Sequence, residues 1–315
     1  MLKNKTIFVM STLAIAISLG ACQPKQTEKQ EDSQQTQVDQ QKVELVGNTE
    51  KLSLNLPECK DKNCPELDIE RLNSNQKFID QVIDQKILEL LREVVTLSPN
   101  EAHQENSASA VEASSALSVK DVKTPKMALE EKVAPYTKAF LDLDAEIKAL
   151  SANHSISLMI KPKILNSDGS LVTVVLNSSN YLGGAHGSSS QTYFNFDLDT
   201  QKQVTLSDIV EKDKLKQLDA KAYEAFKAWI VESEIATNID EYEQAWKFKL
   251  SDNFNLGKKG LILQYGEYEI GPYVVGLPRL VIPYDQLNGI IQAKYLPESA
   301  KVSNAASDVA AKEMK

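Results

Sequence analysis

The stretch YLGGAHGSSS, Tyr181 to Ser190, sets one of the chain's three histidines among three glycines and ahead of three serines. A histidine beside hydroxyls suggests nucleophilic chemistry, which needs a nucleophile within reach of the base and an acid to orient it. The chain has no G-x-S-x-G elbow, and neighbouring residues of an extended segment point to opposite faces, so His186 and Ser188 to Ser190 do not make a triad by adjacency. A metal site would recruit His186 with Asp197, Asp199 or Asp208. There is no H-E-x-x-H motif, and His103 and His154 fall in a loop and a linker, so the pattern specifies no metal, cofactor or catalytic residue. Two readings stay open. Gly183 and Gly184 permit a positive φ while His186 bonds the bend between two strands, or the glycine-rich loop presents its backbone amides to a ligand.

A second loop, YGEYEIGPYVVG, places Tyr265, Tyr268 and Tyr273 among Gly266, Gly271, Pro272 and Gly276. Aromatic faces on such constrained backbone stack on sugar rings, anchor protein interfaces, or form the rim of a core. Tyr181, Gly183, Gly184, His186, Tyr268 and Tyr273 are accordingly expected to build one shallow ligand surface. A glycan hydrolase would instead need two carboxylates about 5 to 9.5 Å apart in a cleft. Glu267, Glu269 and Asp285 are the candidates, and nothing in the sequence places them.

Upstream, MLKNKTIFVMSTLAIAISLGAC has Lys3 and Lys5 before a short apolar run and small residues, the layout of a secretory signal and too short to span a bilayer comfortably. Its end, Leu19-Gly20-Ala21-Cys22, resembles the bacterial lipobox, in which the chain is cut before the cysteine and Cys22 is acylated. Several acyl chains, each buried methylene contributing about 0.8 kcal/mol, would hold the protein on a membrane without crossing it. Gln23 stands where aspartate would signal retention at the inner membrane, so the periplasmic face of the outer membrane is the expected address.

The 315 residues are 42% hydrophobic and 25% charged, enough for a sizeable core. Losing residues 1–21 removes two lysines and no acids, which moves the net charge from -9 to -11. So acidic a chain lacks the basic footprint that nucleic acids require, and a cationic partner suits it better. Cys59 and Cys64 in PECKDKNCPEL are expected to pair as a disulfide, since an exported chain oxidises its thiols and neither metal-ligand nor C-x-x-C spacing is present.

These residues must be held by a folded frame. Residues 22–50 are glutamine-rich and read as a disordered tether; residues 297–315 read as a flexible tail. Residues 51–126 form an N-terminal region: a strand at ELDIERL, a helix from Phe78 to about Leu97 carrying Ile79, Ile83, Ile87 and Leu91 on one stripe, and a mobile insertion at 98–125. Residues 127–296 open with a helix kinked or restarted at Pro135 and turn to strands: Ile156, Leu158 and Ile160 alternate, an Asp168-Gly169 turn leads into LVTVVL, and Phe194, Phe196 and Leu198 oppose Tyr193, Asn195 and Asp197. A helical region over Ser207 to Glu232, a short helix at DEYEQAW, a hairpin around Gly257 to Gly260, a strand at LPRLVIPY and a closing helix at DQLNGII complete an α+β fold, an antiparallel sheet with one buried face and helices packed on that face.

Taken in order, YLGGAHG, YFNFDLDTQKQVTLSDIV and YGEYEIGPYVVGLPRLVIPYDQL resemble the C-terminal domain of the RsiV-like family, domain of unknown function 3298. The upstream CPELDIERLNSNQKFIDQVIDQKI is similar to the companion domain that precedes it in that family and in PdaC-type peptidoglycan deacetylases; together the likeness spans about residues 55–295. The resemblance implies a non-catalytic binding module. In RsiV-like anti-sigma factors the region is the extracytoplasmic receptor and binds lysozyme; in PdaC-type enzymes it accompanies the deacetylase. Neither an anti-sigma segment nor a deacetylase domain is expected here. The expected partners are the bilayer through Cys22 and peptidoglycan or a cationic lysozyme-type protein, with an envelope hydrolase as the alternative reading. Where the family has a glycine in the turn after the Phe194 strand, this chain has Gln201.

Overall fold

The computed structural model describes residues 44–60, 63–95, 123–150, 155–165 and 171–297. Their elements are β1 (Gly47–Lys51), β2 (Glu66–Ser74), α1 (Lys77–Val94), α2 (Pro125–Ala149), β3 (Ser157–Leu165), β4 (Leu171–Tyr181), β5 (Ser188–Asp197), β6 (Lys202–Val204), α3 (Leu206–Ile209), α4 (Leu215–Glu232), α5 (Ile239–Ala245), β7 (Phe254–Leu256), β8 (Gly260–Gln264) and β9 (Arg279–Pro283). Cys22, the Asp168-Gly169 turn and the 98–122 part of the insertion lie outside the described residues.

β1 to β6 form one sheet in sequence order, and β7 to β9 form a second, three-stranded sheet. Every pairing is antiparallel except β2 with β3, whose connection carries α1 and α2. The first sheet therefore takes strands from both sides of residue 127. The fold is α+β. Order begins before Leu52: the polar GNTEK, all but Lys51 inside the stretch read as tether, pairs as β1 along β2. Its Glu50 reaches the buried Arg71 at 3.1 Å, and Arg71 in turn bonds Asp84 of α1 at 2.8 Å. The strand is held by backbone pairing and this ionic tie, neither of which leaves an apolar alternation in the sequence.

The apolar stripe of α1 packs as its spacing predicts, with Ile79, Ile83, Ile87 and Leu91 fully buried against β2 to β5. α2 is a single helix through Pro135, neither restarted nor broken there; Pro125 opens it and the Thr124 side chain accepts from Met127 N at 3.2 Å. The expected closing helix at DQLNGII is a 3-10 turn over Tyr284–Leu287, and the Ser207 to Glu232 region divides into α3 and α4.

Two cores share the first sheet. Val172, Val174 and Leu176 of β4 face α1 and α2, whereas Leu171 belongs with α3 to α5 and the second sheet. The expectation of one buried face fails here, because Asn195 (1% exposed) and Asp197 (3%) point away from the first core and are buried too. Asn195 donates to the Phe254 carbonyl of β7 at 2.8 Å and accepts from Thr173 at 2.7 Å, while Asp197 accepts from Tyr295 at 3.2 Å. Hydrogen bonds make burial of these polar groups tolerable.

Candidate functional site

The first loop, Leu182 to Gly187, joins β4 to β5, with Asn180 opposite Ser188 in the register. Gly183 and Gly184 take φ of 92° and 103°, backbone open to glycine at little cost. Tyr181 braces the turn by donating its phenol to the Gly184 carbonyl at 3.0 Å. The ring of His186 is thereby carried out at the sheet end, exposed.

The second loop, Gly266 to Gly276, joins β8 to β9 and is fixed from below. Tyr265 is buried and donates to the Lys249 carbonyl at 2.9 Å; its burial pushes the phenol's pKa well above the usual range, so it stays a neutral donor. Tyr242 of α5 donates to the Ile270 carbonyl at 2.9 Å. Gly271 has no space for a side chain: a Cβ there would lie 2.7 Å from the Tyr242 oxygen and 2.8 Å from Val275 Cγ2. Glu269 folds back to accept from Gly266 N at 2.8 Å. Held this way, Tyr268 adopts φ 62°, a conformation unusual for a bulky residue and one that local packing must maintain.

Two side chains tie the second sheet and its loop to β5. Asn253 imitates a strand pairing on the edge of β5, accepting from Tyr193 N at 2.8 Å and donating to the Gln191 carbonyl at 2.7 Å, which fixes the second sheet beside the first. Glu267 accepts from Ser189 N at 2.9 Å.

Three rings then meet. His186 stacks on Tyr273 with centroids 4.0 Å apart, Tyr273 lies 5.8 Å from Tyr268, and the Tyr268 oxygen is 3.2 Å from His186 Nε2. Tyr268 remains 50% exposed, Tyr273 36% and the adjoining Val274 88%. A soluble surface rarely leaves clustered aromatics uncovered on rigid backbone without a use. The arrangement offers a flat, partly wet platform with phenol and imidazole edges for hydrogen bonds. So the structure gathers His186, Tyr268 and Tyr273, with Gly183 and Gly184 shaping their loop and Tyr181 bracing it.

Two of the three carboxylates considered for hydrolysis have other engagements. Glu267 accepts from the Ser189 amide of β5 and Glu269 from the Gly266 amide of its own loop, and Asp285 lies exposed in the 3-10 turn after β9. Of the acids considered with His186 for a metal, Asp197 closes its own turn by accepting from Asp199 N and Thr200 N, and Asp208 accepts from Thr205. Among the described residues no three histidine, cysteine or acidic side chains gather as a metal site. Cys59 and Cys64 form a disulfide with Cα atoms 5.7 Å apart, in the connection between β1 and β2. Among the described residues no helix is long and apolar enough to cross a membrane.

Asn253 and the structural use of Glu267 were missed by sequence reasoning. Their partners lie 62 and 78 residues away, and no local pattern signals such a contact.

The chain is 25% identical over 179 residues to the peptidoglycan-N-acetylmuramic acid deacetylase PdaC of Bacillus subtilis (strain 168), a match covering 56% of this chain and 37% of that enzyme's length. Its fold is similar to that of a DUF3298 family protein from Pseudomonas aeruginosa PAO1, with TM-score 0.54, 23% identity, and 81% of this chain and 95% of that one covered. A DUF3298 family member from Bacteroides fragilis NCTC 9343 is similar at TM-score 0.51 and 18% identity, over 80% and 93% of the two chains. Residues 202–285, which carry Tyr268 and Tyr273 and the elements beneath them, match the model of the family described as "Protein of unknown function (DUF3298)".

Proposed function

We propose that this chain is a lipid-anchored, non-catalytic binding module of the bacterial envelope, with an RsiV-like domain and its N-terminal companion, that takes a cell-wall glycan or a lysozyme-type protein on the His186, Tyr268 and Tyr273 platform. The observation that carries it is the trio of stacked, half-exposed rings on two loops tied to each other, with Tyr268 held at φ 62°. Preformed aromatic faces bind sugar rings or protein side chains at little ordering cost. The relative named for acting on peptidoglycan N-acetylmuramic acid supports a wall ligand. The net charge of -9 supports fast approach by a cationic protein.

The module would be tethered through acylated Cys22 after removal of residues 1–21, on the periplasmic face of the outer membrane. Cys22→Ser should abolish incorporation of labelled palmitate; undiminished labelling would refute the anchor. Binding is tested by titrating the full chain with soluble peptidoglycan fragments and with a lysozyme. Tyr268→Ala and Tyr273→Ala should each weaken whichever interaction is found, and unaltered binding in both would reject the platform. Cleavage of the glycan by the wild-type chain, lost in Glu267→Gln or Glu269→Gln, would replace this reading with that of a hydrolase.

A further inference from the structure

Arg279, the first residue of β9, is exposed, yet its guanidinium is fixed. Nε donates to Gln264 Oε1 at 2.7 Å and Nη2 donates to Gln191 Oε1. Each glutamine is itself oriented by its other end. Gln264 is buried (1% exposed), and its Nε2 donates to the carbonyls of Tyr265 and Pro278 at 3.0 and 3.1 Å, so its oxygen must face Arg279. Gln191 Nε2 donates to Asn177 Oδ1 at 2.9 Å, and Asn177 Nδ2 is set toward the Lys161 carbonyl at 3.4 Å. The amide chain therefore has one consistent direction of donors and acceptors, ending on the arginine.

A surface arginine in a chain of net charge -9 ordinarily finds acids. Here, among the described residues, no carboxylate stands at ion-pair distance from Arg279, and its Nη1 donors have no partner. Two neutral amides hold the guanidinium plane without neutralising it. That is the preparation a planar carboxylate needs, because Arg forms paired, charge-assisted hydrogen bonds to it in one plane.

Its position relates it to the rings. Gln191 of β5 and Gly187, the residue just before that strand whose carbonyl anchors Tyr273, are four positions apart, roughly 13 Å at the rise of an extended chain. Beyond Gln191, Asn177 lines a cleft of about 430 Å³ with Thr49, Glu70, Lys161 and Lys163, so the polar surface continues away from the platform. We infer that Arg279 is a carboxylate-binding subsite of the same surface and that the ligand is a carboxylate-bearing glycan, one sugar ring lying on the Tyr268 and Tyr273 faces and an acidic substituent further along meeting Arg279.

This assignment rests on the binding-module reading, and the test separates the two. The folded full chain is titrated with a tetrasaccharide of alternating N-acetylglucosamine and N-acetylmuramic acid, and with chitotetraose, which has the same backbone without the lactyl carboxylate. The acidic oligomer should bind roughly tenfold or more tightly, the scale of a charge-assisted pair. Arg279→Gln should bring the two affinities together, Arg279→Lys should leave a partial preference because charge is kept without the fork, and Tyr273→Ala should weaken both ligands. Thermal melting of each variant confirms that it is folded. Equal affinities for the two oligomers, still lowered by Tyr273→Ala, would overturn the carboxylate subsite and leave the platform standing. Failure of both oligomers to bind overturns the glycan ligand altogether.

Discussion

Tyr273 and His186 lie face to face with centroids 4.0 Å apart, and both donate to one acceptor, the Gly187 carbonyl, at 3.1 Å from the phenol and 2.9 Å from Nδ1. A carbonyl only accepts, so Nδ1 carries the hydrogen, and in the neutral ring Nε2 is left to accept from Tyr268 at 3.2 Å. One backbone oxygen thus sets the tautomer of the histidine and closes the two loops across 86 residues of chain.

Removing the phenol and removing the ring should have different effects. Tyr273→Phe keeps the stack and loses one exposed hydrogen bond, a change of about 0.5–1 kcal/mol. Tyr273→Ala also uncovers His186 and frees Gly183 to Ser189. Hydrogen exchange of the backbone amides from Gly183 to Ser189 is expected to rise clearly in Tyr273→Ala and little in Tyr273→Phe. Equal exchange in the wild type and the alanine variant would show that the loops are not coupled through this ring.

Gly271 supports the platform from behind without touching a ligand. A Cβ there meets the Tyr242 oxygen and Val275 Cγ2 at under 3 Å, and relieving that overlap requires either the Tyr242 bond to Ile270 or the 3-10 turn after Pro272 to move. Gly271→Ala should cost about 1–3 kcal/mol, the usual range for overpacking, and shift the stacked rings. The check is the melting temperature together with the aromatic NMR signals of Tyr268 and Tyr273; a variant with both unchanged would mean that the loop tolerates the methyl.

How much of this could be read from the sequence depended on whether a signal was local. Ile79, Ile83, Ile87 and Leu91 announce the buried side of α1 by spacing alone, and the glycines at 183 and 184 announce a backbone turn that the structure contains. The two tyrosines and the histidine were recognisable as unusual residues on constrained loops. What no pattern carried was the second covering of the main sheet: Asn195 and Asp197 look like a solvent face in the alternation of β5, and only partners from Phe254 and Tyr295, 59 and 98 residues on, make that face interior. The fixed guanidinium of Arg279 was illegible for the same reason, since Gln191 lies 88 residues before it. β1 was missed because its residues are polar and its stability comes from pairing with β2 and from Glu50 reaching Arg71.

Gln201 sits in the turn between β5 and β6 at φ 53°, the left-handed region where an L side chain is disfavoured. The turn forms nonetheless, because Asp197 Oδ1 accepts from both Asp199 N and Thr200 N and fixes the backbone just before it. Gln201→Gly removes the conformational penalty of about 1–2 kcal/mol and adds back some unfolded-state entropy, for a net stabilisation of about 0.5–1 kcal/mol. Denaturant midpoints with an unchanged slope should show it; a lower midpoint in the glycine variant would contradict the argument.

Asp208 offers a pH-dependent test of the start of α3. Its carboxylate accepts from the Thr205 hydroxyl at 2.6 Å and from Thr205 N at 2.8 Å, and those bonds hold its pKa below the ordinary 3.8. Because the folded value is the depressed one, the charged carboxylate contributes stability in full above the unfolded value, and the contribution fades as pH falls through the folded value. The group is exposed, so the effect should be small. The Thr205 pair caps a four-residue helix that packs Leu206 and Ile209 into the second core. Asp208→Asn should therefore melt below the wild type at pH 7 and converge with it in the acid range where pH falls through the depressed folded value and the wild-type carboxylate also becomes neutral. A gap between the two proteins that persisted unchanged into that acid range would mean that the charge of Asp208 is not what holds the cap.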